Sequence, residues 1–159
     1  MNGMSRAFTM IEVITVTVVV GILAAMVVPR FASARDDTTV AAASEDLRTI
    51  ARAVSLYQGV NGSFPPNASR TKDAENLKEY FKNTSPFVKL CPIGGVYDYD
   101  GPSAGKPVSV SIIQDGSNRY TFEFALELDK YMDDGDLGTG RLTEVGNSLR
   151  FRFAGSETY

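Results

Sequence analysis

The chain has no histidine, no tryptophan and a single cysteine in 159 residues. Without histidine there is no imidazole ligand for a metal, no His-based triad and none of the commonest general base. An enzyme is therefore not expected. One thiol, Cys91, cannot form an intrachain disulfide, so this is not a disulfide-stapled exported domain. Positive charge is also in short supply, with 16 Lys+Arg against 19 Asp+Glu and a net charge of −3. A mildly acidic chain has no general electrostatic reason to bind nucleic acid, and no specific nucleic-acid partner is expected. It suits divalent cations slightly better. Internal repeats and low-complexity segments are absent.

What the chain does have is one long apolar run. From Met10 to Val28 the stretch FTMIEVITVTVVVGILAAMVVP, which spans Phe8 to Pro29, is almost wholly apolar. Its length matches the ~20 residues that a helix needs to cross a bilayer. One charge, Glu12, interrupts it near the start, and a polar leader with Arg6 precedes it. Three readings compete. A secretory signal peptide would use Arg6, the apolar run and Ala32-Ser33-Ala34 as its cleavage site, leaving Arg35 as the new N-terminus. An h-region is usually ~7–15 residues, however, and gains nothing from a carboxylate. A plain anchor fits the length, with Arg6 marking the cytoplasmic flank. It leaves Glu12 unexplained, since an acidic residue in a span costs up to roughly 2.5–3.5 kcal/mol at the centre and less near an edge. In the third reading a cut between Ala7 and Phe8 frees an amine one helical turn from Glu12. The two charges can then pair, within one chain or between neighbours staggered by about a turn.

The run R-A-F-T-M-I-E-V-I-T-V-T-V-V-V-G-I-L-A-A-M-V-V-P resembles the class III signal of type IV pilins and type II secretion pseudopilins. The resemblance is close over residues 1–31 and looser along the helix beyond. It implies cleavage by a prepilin peptidase between Ala7 and Phe8, with methylation of the Phe8 amine. The family's glutamate falls on Glu12, its mid-span glycine on Gly21 and its proline on Pro29. The residue before the cut is usually Gly in the family and is Ala7 here. The implied protein is a structural subunit of a type IV filament, either a type II secretion pseudopilus or a type IV pilus. Its expected partners are sister subunits, the peptidase, an inner-membrane assembly platform and the lipid bilayer. It would sit in the cytoplasmic membrane with its C-terminal domain outside, then in a periplasmic or cell-surface filament. The alternative is a secreted or membrane-tethered domain or enzyme that never polymerises.

The resemblance also implies an α+β, pilin-like fold: a long N-terminal helix, half transmembrane and half amphipathic, on a small antiparallel sheet. Residues 1–7 form the leader, 8–34 the membrane and filament-core half of the helix, and 35–159 the external domain. Within that domain, residues 35–58 continue the helix. The residues themselves support this division. Val40, Ala43, Leu47, Ile50, Val54 and Tyr57 recur at intervals of three and four, one apolar stripe suited to a sheet. Counted from Phe8, the helix would be ~50 residues and ~75 Å long. Pro29 removes a backbone donor inside it and clashes with the carbonyl of Ala25. Either a kink at the membrane exit or a segment that unwinds on assembly would follow.

Gly59 and Gly62 are expected to end the helix, and Ser63-Phe64-Pro65-Pro66 prevents its resumption. A crossover loop then covers 59–70, and 73–81 reads as a short helix. Two N-glycosylation sequons, at Asn67 and Asn83, carry no weight. Val96–Asp100 reads as a strand. Val108, Val110 and Ile112 alternate with serines, and Tyr120, Phe122, Phe124, Leu126 and Leu128 alternate with mostly polar residues. With Asp115-Gly116-Ser117-Asn118 between them, these two runs predict a hairpin. Leu149, Phe151 and Phe153 predict a closing strand. Such alternation implies a sheet with one buried face.

Two polar features remain. Cys91-Pro92-Ile93-Gly94-Gly95-Val96-Tyr97 resembles a stretch of many pilin-like proteins in which the cysteine bonds a second one. With no second cysteine, Cys91 reads as a small buried apolar residue. Asp133-Asp134-Gly135-Asp136, with Asp129 before it, is the densest acidic run. It can be a solvated turn, or it can wrap Ca²⁺ in carboxylates and backbone carbonyls. It lacks the EF-hand spacing. Major pseudopilins carry a calcium loop near their C-terminal strands, but its motif does not match this run. No cofactor is required by the filament reading, and calcium is the one this loop would take. Asp98 and Asp100 share a strand face as an acid–base pair would, but carboxylates beside Tyr97 and Gly101 at a turn are common.

Overall fold

The computed structural model describes residues 9–67, 74–82, 84–103, 106–116 and 120–154. Its contacts divide the chain into two units, Met1–Asp37 and Thr38–Tyr159. Helix α1, Met10–Asn61, contributes to both. In the first unit every described side chain is exposed, Met10 to Val27 among them. A soluble domain would not leave that stretch bare. The helix is unbroken through Gly21 and Pro29.

The second unit builds its core on the expected stripe. Val40, Ala43, Leu47, Ile50 and Val54 are buried, with Tyr57 packed against them. The helix runs to Asn61, past the expected bound at 58, and stops at the second of the two expected glycines. Gly59 lies inside it, with open space around its Cα, and Gly62 ends it. At φ +71° Gly62 takes the left-handed conformation and donates its N–H to the Gln58 carbonyl at 2.8 Å. That is the single-bond left-handed C-cap, for which glycine carries no Cβ penalty. Next come α2, Ala74–Leu77, and a 3₁₀ turn, Lys78–Tyr80, where the sequence predicts one short helix. A second 3₁₀ turn, Pro86–Val88, leads into the sheet.

The sheet is antiparallel, with strands β1 (Val96–Asp100), β2 (Ser109–Ile113), β3 (Leu142–Val145) and β4 (Ser148–Arg152). Its order is β1-β2-β4-β3. Tyr97 lies opposite Ile112, which lies opposite Leu149; Tyr99, Val110 and Phe151 form the next row. All six are buried and share one core with the α1 stripe. The other face carries Asp98, Asp100, Ser109, Ser111, Arg150 and Arg152 in register. Asp100 accepts the Ser111 hydroxyl at 3.0 Å and lies 3.5 Å from that of Ser109, so it joins two strands.

The expected hairpin partner of β2 is not a strand. Residues Phe122–Met132 form helix α3, and β4 takes the place beside β2. Thr121 caps α3, its hydroxyl accepting the Phe124 N–H at 3.3 Å. Buried Ala125, Leu128 and Asp129 recur at helical spacing, while Phe122 is 60% exposed. Over nine residues an alternating pattern and a helical one share several positions, so alternation alone misleads here. Strand β3 has no counterpart in the sequence reading, although Gly146-Asn147 is a two-residue hairpin signal. Of the expected turn after β2, Asp115 and Gly116 are described, and Ser117 and Asn118 lie outside the described residues.

Candidate functional site

Of the expected assembly residues, Ala7 and Phe8, where cleavage and methylation are expected, lie outside the described residues. Glu12 stands in the first turn of α1. Its Oε2 accepts the Thr9 N–H at 2.8 Å and the Thr9 hydroxyl at 2.7 Å. In return the Glu12 N–H donates to Thr9, at 3.1 Å to the carbonyl and 3.4 Å to the hydroxyl. This is a capping box: Thr at the N-cap and Glu three residues on satisfy each other's orphan groups. The Thr-x-x-Glu spacing ahead of an apolar run is its sequence signal. Looking only for an oppositely charged partner passes over Thr9.

Two further hydroxyls in the run are satisfied within the helix. Thr15 donates to the Ile11 carbonyl at 2.7 Å and Thr17 to that of Ile14 at 2.9 Å. Without water an unpaired hydroxyl is costly, and these bonds make both threonines compatible with lipid. Gly21 has nothing within 4 Å of the position a Cβ would occupy. It therefore presents a flat spot on the exposed helix surface, the kind of place where another helix can approach closely.

At the other end of the chain, α3 and the loop into β3 gather carboxylates. One oxygen each from Asp129, Asp133 and Asp134 lies within 4.8 Å of the others; Asp136 stands outside this set. Asp129 is fully buried, and neither of its oxygens makes a hydrogen bond. Burial first, then the charges of Asp134 and Asp133, raise its pKa to about 6, while the Gly135 N–H offsets a part from beyond bonding geometry. Asp134 is shifted the other way, its carboxylate held below the usual range by the Asp136 N–H and the Thr139 hydroxyl. Asp136 accepts the Gly138 N–H at 2.9 Å. Asp133 accepts the N–H groups of Arg141 and, at 3.0 Å, Leu142. The loop closes over these carboxylates only because residue 140 is glycine. At φ +70°, a Cβ on Gly140 would overlap the carboxylates of Asp133 and Asp134.

These groups fit a hard cation. All the donors are oxygens, one carboxylate is buried with no ion pair among the described residues, and the cradle tolerates no side chain at position 140. Two oxygens on one Ca²⁺ can lie up to about 4.6–5.2 Å apart, which the observed spread satisfies.

A polar network around buried Asp46 ties α1 to the sheet. Asp46, on the helix, accepts Lys89 Nζ at 2.7 Å and the Tyr97 hydroxyl at 3.1 Å. Cys91 lies beside it as a free, buried thiol, as its lack of a partner cysteine implies.

A bare apolar helix long enough to cross a membrane, with one locally capped carboxylate, continues into an α+β domain, the fold of the pilin kind. Type II secretion system core protein G of Pseudomonas aeruginosa is 33% identical over 108 residues, a match covering 63% of this chain and 76% of that protein. No family model matches the chain, and no solved structure does. The chain belongs to the pilin and pseudopilin family. It is a structural subunit of a filament.

Proposed function

We propose that this chain is a pseudopilin of a type II secretion system, with a structural role and no catalytic one. The observation that carries the reading is an exposed apolar stretch of helix, Met10–Val27, with a single carboxylate in its first turn, in a chain related to a core protein G. A prepilin peptidase cuts between Ala7 and Phe8, and the Phe8 amine is methylated. The chain waits in the cytoplasmic membrane with its C-terminal domain outside. An inner-membrane platform then moves it into a filament whose core is bundled N-terminal helices. Lipid and helix bundle are both apolar, so little hydrophobic energy separates the two states. A polar contact must favour the second. In the lone subunit Thr9 holds the Glu12 carboxylate, which lowers the cost of keeping it in the membrane. In the filament the Phe8 amine of a neighbour offers Glu12 a full opposite charge. Gly21 and Pro29 serve the close packing and the adjustment of the bundled helices.

Glu12→Leu should insert in the membrane as the wild type does and fail to enter filaments. Intact mass should place the mature N-terminus at methylated Phe8. Normal filaments from Glu12→Leu, or a mature chain beginning at Arg35, would overturn the reading.

We also propose that Asp129, Asp133 and Asp134 hold Ca²⁺, which would supply the counter-charge that Asp129 lacks. Calcium titrated calorimetrically into the EGTA-treated full chain in detergent should bind with one-to-one stoichiometry. Asp129→Asn should abolish the heat, and an unchanged heat in that variant would overturn the assignment.

A further inference from the structure

The face of the sheet turned away from the core is charged in columns. Strand β1 brings Asp98 and Asp100, the central β2 brings Ser109 and Ser111, and β4 brings Arg150 and Arg152. The serines are 1% and 3% exposed, while the acids and the arginines keep part of their surface. The charges therefore form two rims beside a small polar floor, about 10 Å apart at two strand spacings. The acidic rim is used inside the subunit, where Asp100 reaches both serines. The basic rim is hardly used. Arg152 gives one N–H to the Gly140 carbonyl. The Arg150 side chain makes no hydrogen bond and no ion pair among the described residues, and its Nε is buried. A buried donor left unpaired within one subunit calls for an acceptor from outside it.

The complementary charge lies on the opposite side of the domain. Helix α3 packs on the apolar side of the sheet, since Ala125 and Leu128 share the core with the α1 stripe. Glu123 and Glu127, one turn apart, are exposed on the side of α3 away from Ala125, Leu128 and Asp129. Neither makes an ion pair among the described residues. Lys130 is exposed there too, with its stem against Gly135. Side chains four apart on a helix stand about 6 Å from each other, and those two apart on a strand about 7 Å. The glutamate pair and the arginine pair thus match in spacing and oppose in charge. We propose that Arg150 and Arg152 of one subunit receive Glu123 and Glu127 of a second copy of this chain, as a contact between neighbours in the filament. A second copy is the occupant because the chain is a filament subunit and carries both halves of the contact. Halves on opposite sides of one domain cannot both be satisfied in a two-fold pair. The contact runs head to tail, and repeated it builds a ring or an open helix. The carboxylates supply the acceptor that Arg150 lacks, in the two-pronged geometry that suits guanidinium. The acidic rim on β1 repels them, which directs the entering helix to β4.

Filament yield from cells that assemble the wild-type chain tests this, with the melting temperature of each full-length variant in detergent as the check on folding. Glu123→Arg with Glu127→Arg alters only exposed side chains. It should leave the melting temperature unchanged and lower the yield at least about tenfold, because like charges then face each other. Arg150→Glu with Arg152→Glu should lower it as much. All four changes together restore opposite charges and should bring the yield back to within about threefold of the wild type. Should the arginine variants fail to fold, Arg150→Lys decides the matter. In its filaments, built from mixed light and heavy subunits, a zero-length carbodiimide should couple residue 150 of one copy to Glu123 or Glu127 of another, as read by mass spectrometry. Normal filaments from Glu123→Arg with Glu127→Arg, a folded four-fold variant that stays unassembled, or no such coupling in Arg150→Lys would each overturn the contact. Where Glu12→Leu still abolishes filaments, that result overturns the contact alone and leaves the filament reading in place.

Discussion

At the residue scale, Cys91 and Glu12 show how surroundings decide what a reactive group does. Cys91 is buried, chiefly by desolvation its pKa is pushed up to about 11, and Tyr97 is beside it. A thiol reacts as the thiolate, so Cys91 should resist iodoacetamide at pH 8 in the folded chain and react within minutes in denaturant. Mass spectrometry of the two samples checks this, and labelling of the folded chain at the unfolded rate would refute it. The sign of the pH effect follows. Between its ordinary value of 9 and about 11, the unfolded thiol has lost its proton and the folded one keeps it. Stability contributed by Cys91 is therefore level below pH 9 and falls as pH rises from there, by up to about 1.4 kcal/mol per pH unit. Glu12 is the opposite case, an exposed acid kept in an apolar stretch by Thr9. Its place in the first turn is legible in the sequence. Its bond to Thr9 is legible too, once Thr-x-x-Glu is recognised as a cap.

At the element scale, α3 is where the reading of the chain and its structure part. Residues 120–128 alternate well enough to pass as a strand, yet the Thr121 cap and the burial of Ala125 and Leu128 make a helix. The two assignments predict different mutants. As a strand, Phe122 would share its face with Tyr120, Phe124 and Leu128; as a helix residue it points to solvent. Phe122→Asp should therefore change stability by no more than about 0.5 kcal/mol. Thr121→Ala should lose about 1 kcal/mol with the cap. Chemical denaturation measures both, and a loss of several kcal/mol at Phe122 would restore the strand. Helix α3 matters to the functional site because it brings Asp129 to the acidic loop. A strand there would have placed that carboxylate elsewhere.

At the scale of the whole molecule, the two units divide the work between membrane and domain. The buried residues begin at Val40, and none of the described side chains before Thr39 is buried. Among the described residues, the buried core draws no side chain from the apolar run. A chain starting at Thr38 should fold as a soluble domain with a melting temperature close to that of the full chain in detergent, and circular dichroism can compare them. Failure of that fragment to fold would show that the first unit supplies something to the core. The same division explains why one helix has to serve two environments. Its first half is apolar on every side, and its second half only on the stripe that meets the sheet.

The sequence by itself determined the elements whose signals are local or long. A run of ~20 apolar residues is long enough to cross a bilayer, and a Thr-x-x-Glu cap opens it. The stripe from Val40 to Tyr57 states which side of a helix is buried, and β1, β2 and β4 are short enough for alternation to find them. Tertiary structure alone decided the rest. Whether 122–132 is helix or strand depended on which face the core would cover, and β4 rather than that segment won the place beside β2. The convergence of Asp129 with Asp133 and Asp134, and the bond from the Leu142 N–H to Asp133, come from a helix end, a loop and a sheet edge meeting in space. Charge density along a chain shows that carboxylates are near each other. Only the fold shows that one of them is buried without a partner.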